Sequence, residues 1–114
     1  MATVTPTVEN VAPNAERITW AGMVTGDTIT GYSATRPSRA AVQASGTFAV
    51  GTVVGLTGSI DGTNYIALTD LFGTALTGKT AAFLAGVAQV AVAFKPTIGS
   101  GAGDAVTISL ILWW

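Results

Sequence analysis

Val106-Thr107-Ile108-Ser109-Leu110-Ile111-Leu112-Trp113-Trp114 is the stretch that decides the fold. Val106, Ile108, Leu110 and Leu112 fall on one side of an extended chain, while Thr107, Ser109, Ile111 and Trp113 fall on the other. Side chains alternate across a strand with period 2, so this pattern predicts a strand with one face in a core. Val90, Val92 and Phe94 alternate with Gln89, Ala91, Ala93 and Lys95 in the same manner and predict a second strand. Between them lies Pro96 to Asp104, with the run Gly99-Ser100-Gly101-Ala102-Gly103. Two strands joined by such a loop are expected to pair antiparallel.

Working outward, Val42, Ala44, Gly46 and Phe48 alternate with Gln43, Ser45 and Thr47, and Val54, Leu56 and Ile60 continue the period. Asp61-Gly62-Thr63-Asn64 then predicts a turn, with Tyr65 to Thr69 as the returning strand. Ile18 and Trp20 mark another strand, and Thr28 to Ala34 a further one. The one segment with helical composition is Thr80 to about Ala88, rich in Ala and Leu, which favour helix. Seven or eight short strands therefore predict an all-β fold: an antiparallel β-sandwich or jelly-roll-like single domain, with at most one short helix near 80–88. The domain is expected to span 15–114. Residues 1–14 carry Pro6 and Pro13, and Val4, Pro6 and Val8 alternate. Proline disfavours a central strand, which leaves an edge strand or an extended arm.

The 114 residues include 10% charged residues, against about a quarter in an ordinary soluble domain. Mean hydropathy is +0.55. So little charge on a small apolar chain points to a surface covered by neighbours. The chain has no Cys and no His. Thiolate and imidazole metal sites, haem, cysteine nucleophiles and Ser-His-Asp triads are thereby excluded. No cofactor and no metal are expected. A net charge of −1 offers no basic footprint for nucleic acid. The most apolar run, Ala81 to Phe94, is shorter than the roughly 20 residues of a membrane helix, so no membrane span is expected. Met1 to Pro13 has neither the basic nor the apolar region of a signal peptide.

Gly73-Thr74-Ala75-Leu76-Thr77-Gly78-Lys79-Thr80 matches the phosphate-loop pattern of nucleotide-binding proteins letter for letter. The βαβ units that such a loop serves are missing, and the only later acid, Asp104, precedes its strand. The expected structure is a turn with a solvated lysine. Asp61 and Asn64, with Asp70, are oxygen donors of the calcium-ligand type, but their spacing is that of turn residues bonding to nearby backbone. No carboxylate pair is placed for acid–base work. The candidate partner-binding residues are Trp113 and Trp114 as large terminal aromatics, Arg36 and Arg39 as a carboxylate clamp around Pro37-Ser38, and Val4 and Val8 on the N-terminal segment.

The order Ser45-Gly46-Thr47-Phe48, Gly58-Ser59-Ile60-Asp61-Gly62-Thr63-Asn64-Tyr65, Leu68-Thr69-Asp70, Gly73-Thr74-Ala75-Leu76-Thr77 and Gly103 to Leu110 resembles the small all-β structural proteins of tailed bacteriophages. The resemblance covers about the last two thirds of the chain. It implies a non-enzymatic capsid decoration (cement) protein on the virion surface, a homotrimer that bridges subunits of the major capsid protein. Gly58 to Tyr65 also resembles a hairpin of discoidin-type jelly rolls, with Tyr65 where both patterns carry Trp. That second likeness implies a carbohydrate-binding module, for which Trp20, Tyr32 and Tyr65 are the available aromatics.

Overall fold

The computed structural model describes residues 2–99, 101 and 103–114, and only the backbone of Thr35. The fold is all-β and sandwich-like. β1 (Thr3–Val4) and β4 (Thr28–Ile29) form a two-stranded parallel sheet. The main sheet contains β2 (Thr7–Ala12), β3 (Ala15–Met23), β5 (Tyr32–Thr47), β6 (Val53–Ser59), β7 (Ile66–Ala67), β8 (Phe83–Gly86), β9 (Ala91–Gly99) and β10 (Ala105–Trp113). Their order is β2-β3-β10-β5-β9-β6-β7, with β8 also on β5, and all these pairs are antiparallel.

The 16 residues of β5 organise the molecule. Its second half, Arg39 to Thr47, pairs with β10, while Tyr32, Ser33 and Ser38 pair with β9. The register shifts between Ser33 and Ser38, where Pro37 lacks an N–H for the ladder. The two halves of the sheet meet at this corner and enclose one core. Ile18, Trp20, Val42, Ile108, Leu110 and Leu112 from one half pack with Leu56, Leu68, Leu76 and Phe94 from the other.

In β10 the expected alternation holds: Val106, Ile108, Leu110 and Leu112 are buried. The hairpin around Asp61-Gly62 also forms, with Thr57 opposite Ala67 and Gly58 opposite Ile66. Ile18 and Trp20 lie fully buried in β3.

Three expectations are corrected. The 80–88 segment is no helix, and among the described residues there is none. β8 lies against Ala41 to Ala44, and the Val87 amide donates to the Ala40 carbonyl at 2.9 Å. An open edge of β5 supplies partners for this backbone and overrides the helical preference of Ala and Leu. In β9 the buried residues are Ala91, Ala93, Phe94 and Pro96, while Val90 is exposed. This strand lies between β5 and β6, and both of its faces carry buried residues, Ala91 and Ala93 on one and Phe94 and Pro96 on the other, so strict alternation is lost. Finally, β9 and β10 do not pair, because β5 lies between them. β9 and β10 therefore belong to different halves of the sheet.

Candidate functional site

The corner of β5 gathers four of the candidate contact residues. Arg39 lies opposite Trp113 in the β5–β10 ladder, and Arg36 sits 4.9 Å from the centre of the Trp114 ring. A guanidinium over an indole face is a favourable cation–π contact. Trp113 is 39% exposed and faces away from the core, as the alternation of β10 requires, while Trp114 is half-buried. The other two candidates lie elsewhere. Val8 is exposed on β2 at the sheet edge, opposite Ile18. Val4 is half-buried on β1 and packs against the core.

A second apolar surface went unread in the sequence. Gly58, Leu68 and Ala91 floor an open groove of about 420 Å³, and Ile60, Ile66 and Val90 stand exposed along it. The loop after Leu68 runs beside it. Thr69 donates its amide to the Gln89 side-chain carbonyl at 2.9 Å, and the Gln89 amide donates to the Thr69 hydroxyl at 2.8 Å. Gln89 also lines the groove, so loop and groove wall are tied together. Asp70 then accepts from the amides of Phe72 at 2.8 Å and Thr74 at 3.0 Å, in the manner of an Asx turn. This fixes Phe72 in the open at 95% exposure. The signal for this surface was present as Leu71-Phe72 between turn residues, but its neighbours come from distant segments.

The phosphate-loop match has a structural role in the fold. Leu76 is fully buried in the core, with its amide bonded to the Leu68 carbonyl and its carbonyl to the Leu56 amide. The Gly73 amide donates to the Asp70 carbonyl and the Lys79 amide to the Val54 carbonyl. A phosphate cradle needs amides converging on a ligand, whereas these three amides of the loop, with that of Thr74, bond within the chain. Lys79 rests 5.7 Å from the Phe83 ring.

Asp61 behaves as the turn residue expected. Its Oδ1 accepts from the Ser59 hydroxyl at 2.7 Å and from the Thr63 and Asn64 amides at 2.8 Å, and its Oδ2 from the Asn64 side chain. These donors, the Asn64 amide foremost, hold its carboxyl well below the usual carboxylate range. Among the described residues no three acids gather as a metal site.

At the other end of β10, Asp104 is buried at 4% exposure. Its carboxylate accepts from the Thr25 hydroxyl at 2.6 Å, the Thr25 amide at 3.0 Å and the Thr52 hydroxyl at 3.0 Å. Thr25 in turn accepts from the Gly101 amide at 3.2 Å, and Thr52 from the Ala49 amide at 3.2 Å. Three loops are thus fastened to one carboxylate, whose pKa is lowered first by the Thr25 hydroxyl. Of the aromatics considered for sugar stacking, Trp20 is excluded by full burial, with its indole N–H on the Thr30 carbonyl at 2.7 Å. Tyr32 donates to Glu16 at 2.9 Å, and Lys95 sits 4.6 Å from the centre of the Tyr65 ring.

Fold and surface together define an all-β, sandwich-like domain with an apolar, charge-poor exterior near the groove. No family model and no curated protein matches the chain.

Proposed function

We propose that this domain is a non-enzymatic structural subunit of a bacteriophage virion, a capsid decoration protein that stabilises the head by bridging neighbouring subunits. The single observation that carries the contact role is the groove and the loop beside it: Ile60, Ile66 and Val90 are exposed along the groove, and Leu71 and Phe72 on the loop. Bare apolar patches of this kind mark interaction surfaces. The low charge of the chain supports the same reading, because a surface covered by neighbours needs little charge. Trp113 and Trp114 beside Arg39 and Arg36 are the second contact patch in this proposal. The virion itself, the major capsid protein as partner and the capsid-surface location come from the sequence resemblance.

The test is to add the purified chain to capsids stripped of it and to measure occupancy by gel densitometry. Saturable binding at a fixed ratio to the major capsid protein is expected, with lower occupancy after deletion of Trp113 and Trp114. Failure to saturate contradicts the proposal.

A carbohydrate-binding module is the second reading, favoured by the side-chain amides of Asn64 and Gln89 along the groove. Both amides already bond within the chain, and Trp20 is buried, which weakens this reading. A glycan array without hits contradicts it.

A further inference from the structure

Phe72 is a knob without a hole in its own chain. The Asp70 turn orders the loop, and the Leu71 side chain lies back over Gly86, where an added Cβ would meet it at 2.9 Å. Phe72 is the more exposed of the two, and 95% exposure means that it does not enter the neighbouring groove. With the backbone of its turn already ordered, an exposed aromatic has only side-chain freedom left to lose on docking, and large aromatics are effective anchors.

The groove beside it has the complementary character. Its volume of about 420 Å³ lies within the range of sites that enclose compact apolar groups. Its lining is mostly apolar, and among the described residues the one charged group there is Asp61, whose carboxylate oxygens accept from neutral donors of its own turn. The fitting occupant is an uncharged, projecting apolar side chain, and the chain itself presents one.

The surroundings favour a broad contact over a single side chain. Among the described residues, six of the eleven exposed large apolar ones lie on these adjoining segments: Ile60, Ile66, Leu71, Phe72, Leu84 and Val90. A standard interface takes about 800 Å² per partner, roughly a seventh of the 5827 Å² surface here. Resting on the assembly reading above, we infer that a second copy of this chain occupies the groove, with Phe72 of one copy seated between Ile60, Ile66 and Val90 of the next. Knob and hole are different patches. They therefore engage reciprocally across a two-fold axis or in sequence around a ring.

Sedimentation equilibrium of the full chain tests this. Wild type self-associates, and Phe72→Ala weakens the association at least about tenfold without changing the circular dichroism or melting curve. Val90→Asp, which charges the groove, has the same effect from the other side. Val50→Ala, fully exposed beyond the far end of β6, leaves association unchanged. Because the chain has no cysteine, a mixture of Phe72→Cys and Ile66→Cys chains also forms a mixed disulfide on mild oxidation, in excess of either variant alone. A wild type that stays monomeric, or a Phe72→Ala chain that associates as wild type does, overturns the inference. Association that survives Phe72→Ala and is lost in Thr7→Pro places the contact on the β2 edge and overturns it too. A monomer that still saturates capsids overturns this inference alone, and a self-associating chain that fails to bind them overturns the virion reading alone.

Discussion

The carboxylate of Asp104 accepts the hydroxyl of Thr25 at 2.6 Å, and the two residues lie 79 positions apart in the chain. With Thr52 as the third partner, this contact fastens the turn after β3, the turn before β6 and the loop before β10 at one end of the sheet. Replacing Asp104 by Asn removes an acceptor and leaves buried hydroxyls short of partners. A fall in melting temperature of roughly 5–10 °C is expected by differential scanning calorimetry. Thr25→Val lowers it as well, and the double variant falls by less than the sum, because both changes break one network.

The acid limb of stability follows from the same hydrogen bonds. Asp104 and Asp61 have carboxyl groups held below their ordinary value of 3.8, as does Asp27, whose carboxylate accepts from the Val24 and Ala2 amides. A depressed folded-state pKa gives stability that is present above the unfolded value and lost as pH falls through the folded one. Melting temperature is therefore expected to hold steady down to about pH 4 and then to fall as the pH drops further.

Tyr32 sets the alkaline limb. Burial, with the Glu16 carboxylate beside its hydroxyl, pushes its pKa from 10.0 up to about 12. A raised folded-state value means that its contribution is whole below pH 10 and is lost as pH rises through about 12. Ultraviolet titration of a Tyr65→Phe chain, with Tyr32 as its only tyrosine, should show a midpoint near 12.

The Gly73 to Thr80 segment separates a structural role from a nucleotide role. Leu76 is fully buried, so Leu76→Ala should cost about 2–5 kcal/mol in chemical denaturation. Lys79→Ala touches only a loose contact with the Phe83 ring and should cost about 1 kcal/mol or less. Isothermal titration with ATP and magnesium should give no heat of binding. Saturable heat that Lys79→Ala abolishes contradicts the structural role.

Gly46 takes φ +112 in β5, and a Cβ there would run into the Ala105 carbonyl of the neighbouring strand. Gly46→Ala adds both backbone strain and a collision, and should destabilise by about 2 kcal/mol or more in urea melts.

What was legible in the sequence follows from range. β10 was readable because its neighbours leave one face to the core and its side chains obey that division. The Asp61 turn was readable because all its hydrogen bonds close within six residues, from Ser59 to Asn64. The 80–88 segment was misread because Ala and Leu carry no trace of the β5 edge that recruits them. The stretch before Asp104 is short enough for a hairpin, and only the position of β5 shows that β9 and β10 do not pair. Asp104 and the Phe72 groove escaped notice for one reason: each joins residues that are distant in the chain. Trp113 and Arg39 lie far apart in the chain, and only the β5–β10 register sets them opposite each other.

The central claim is that the apolar groove and the Phe72 loop of this chain pack against a second copy of it. Size-exclusion chromatography with light scattering on the purified wild-type chain, run across the micromolar range, tests it most directly. The account predicts a mass that is a multiple of 11.4 kDa and falls back towards one chain in Phe72→Ala. A wild-type mass of 11.4 kDa at every concentration contradicts it.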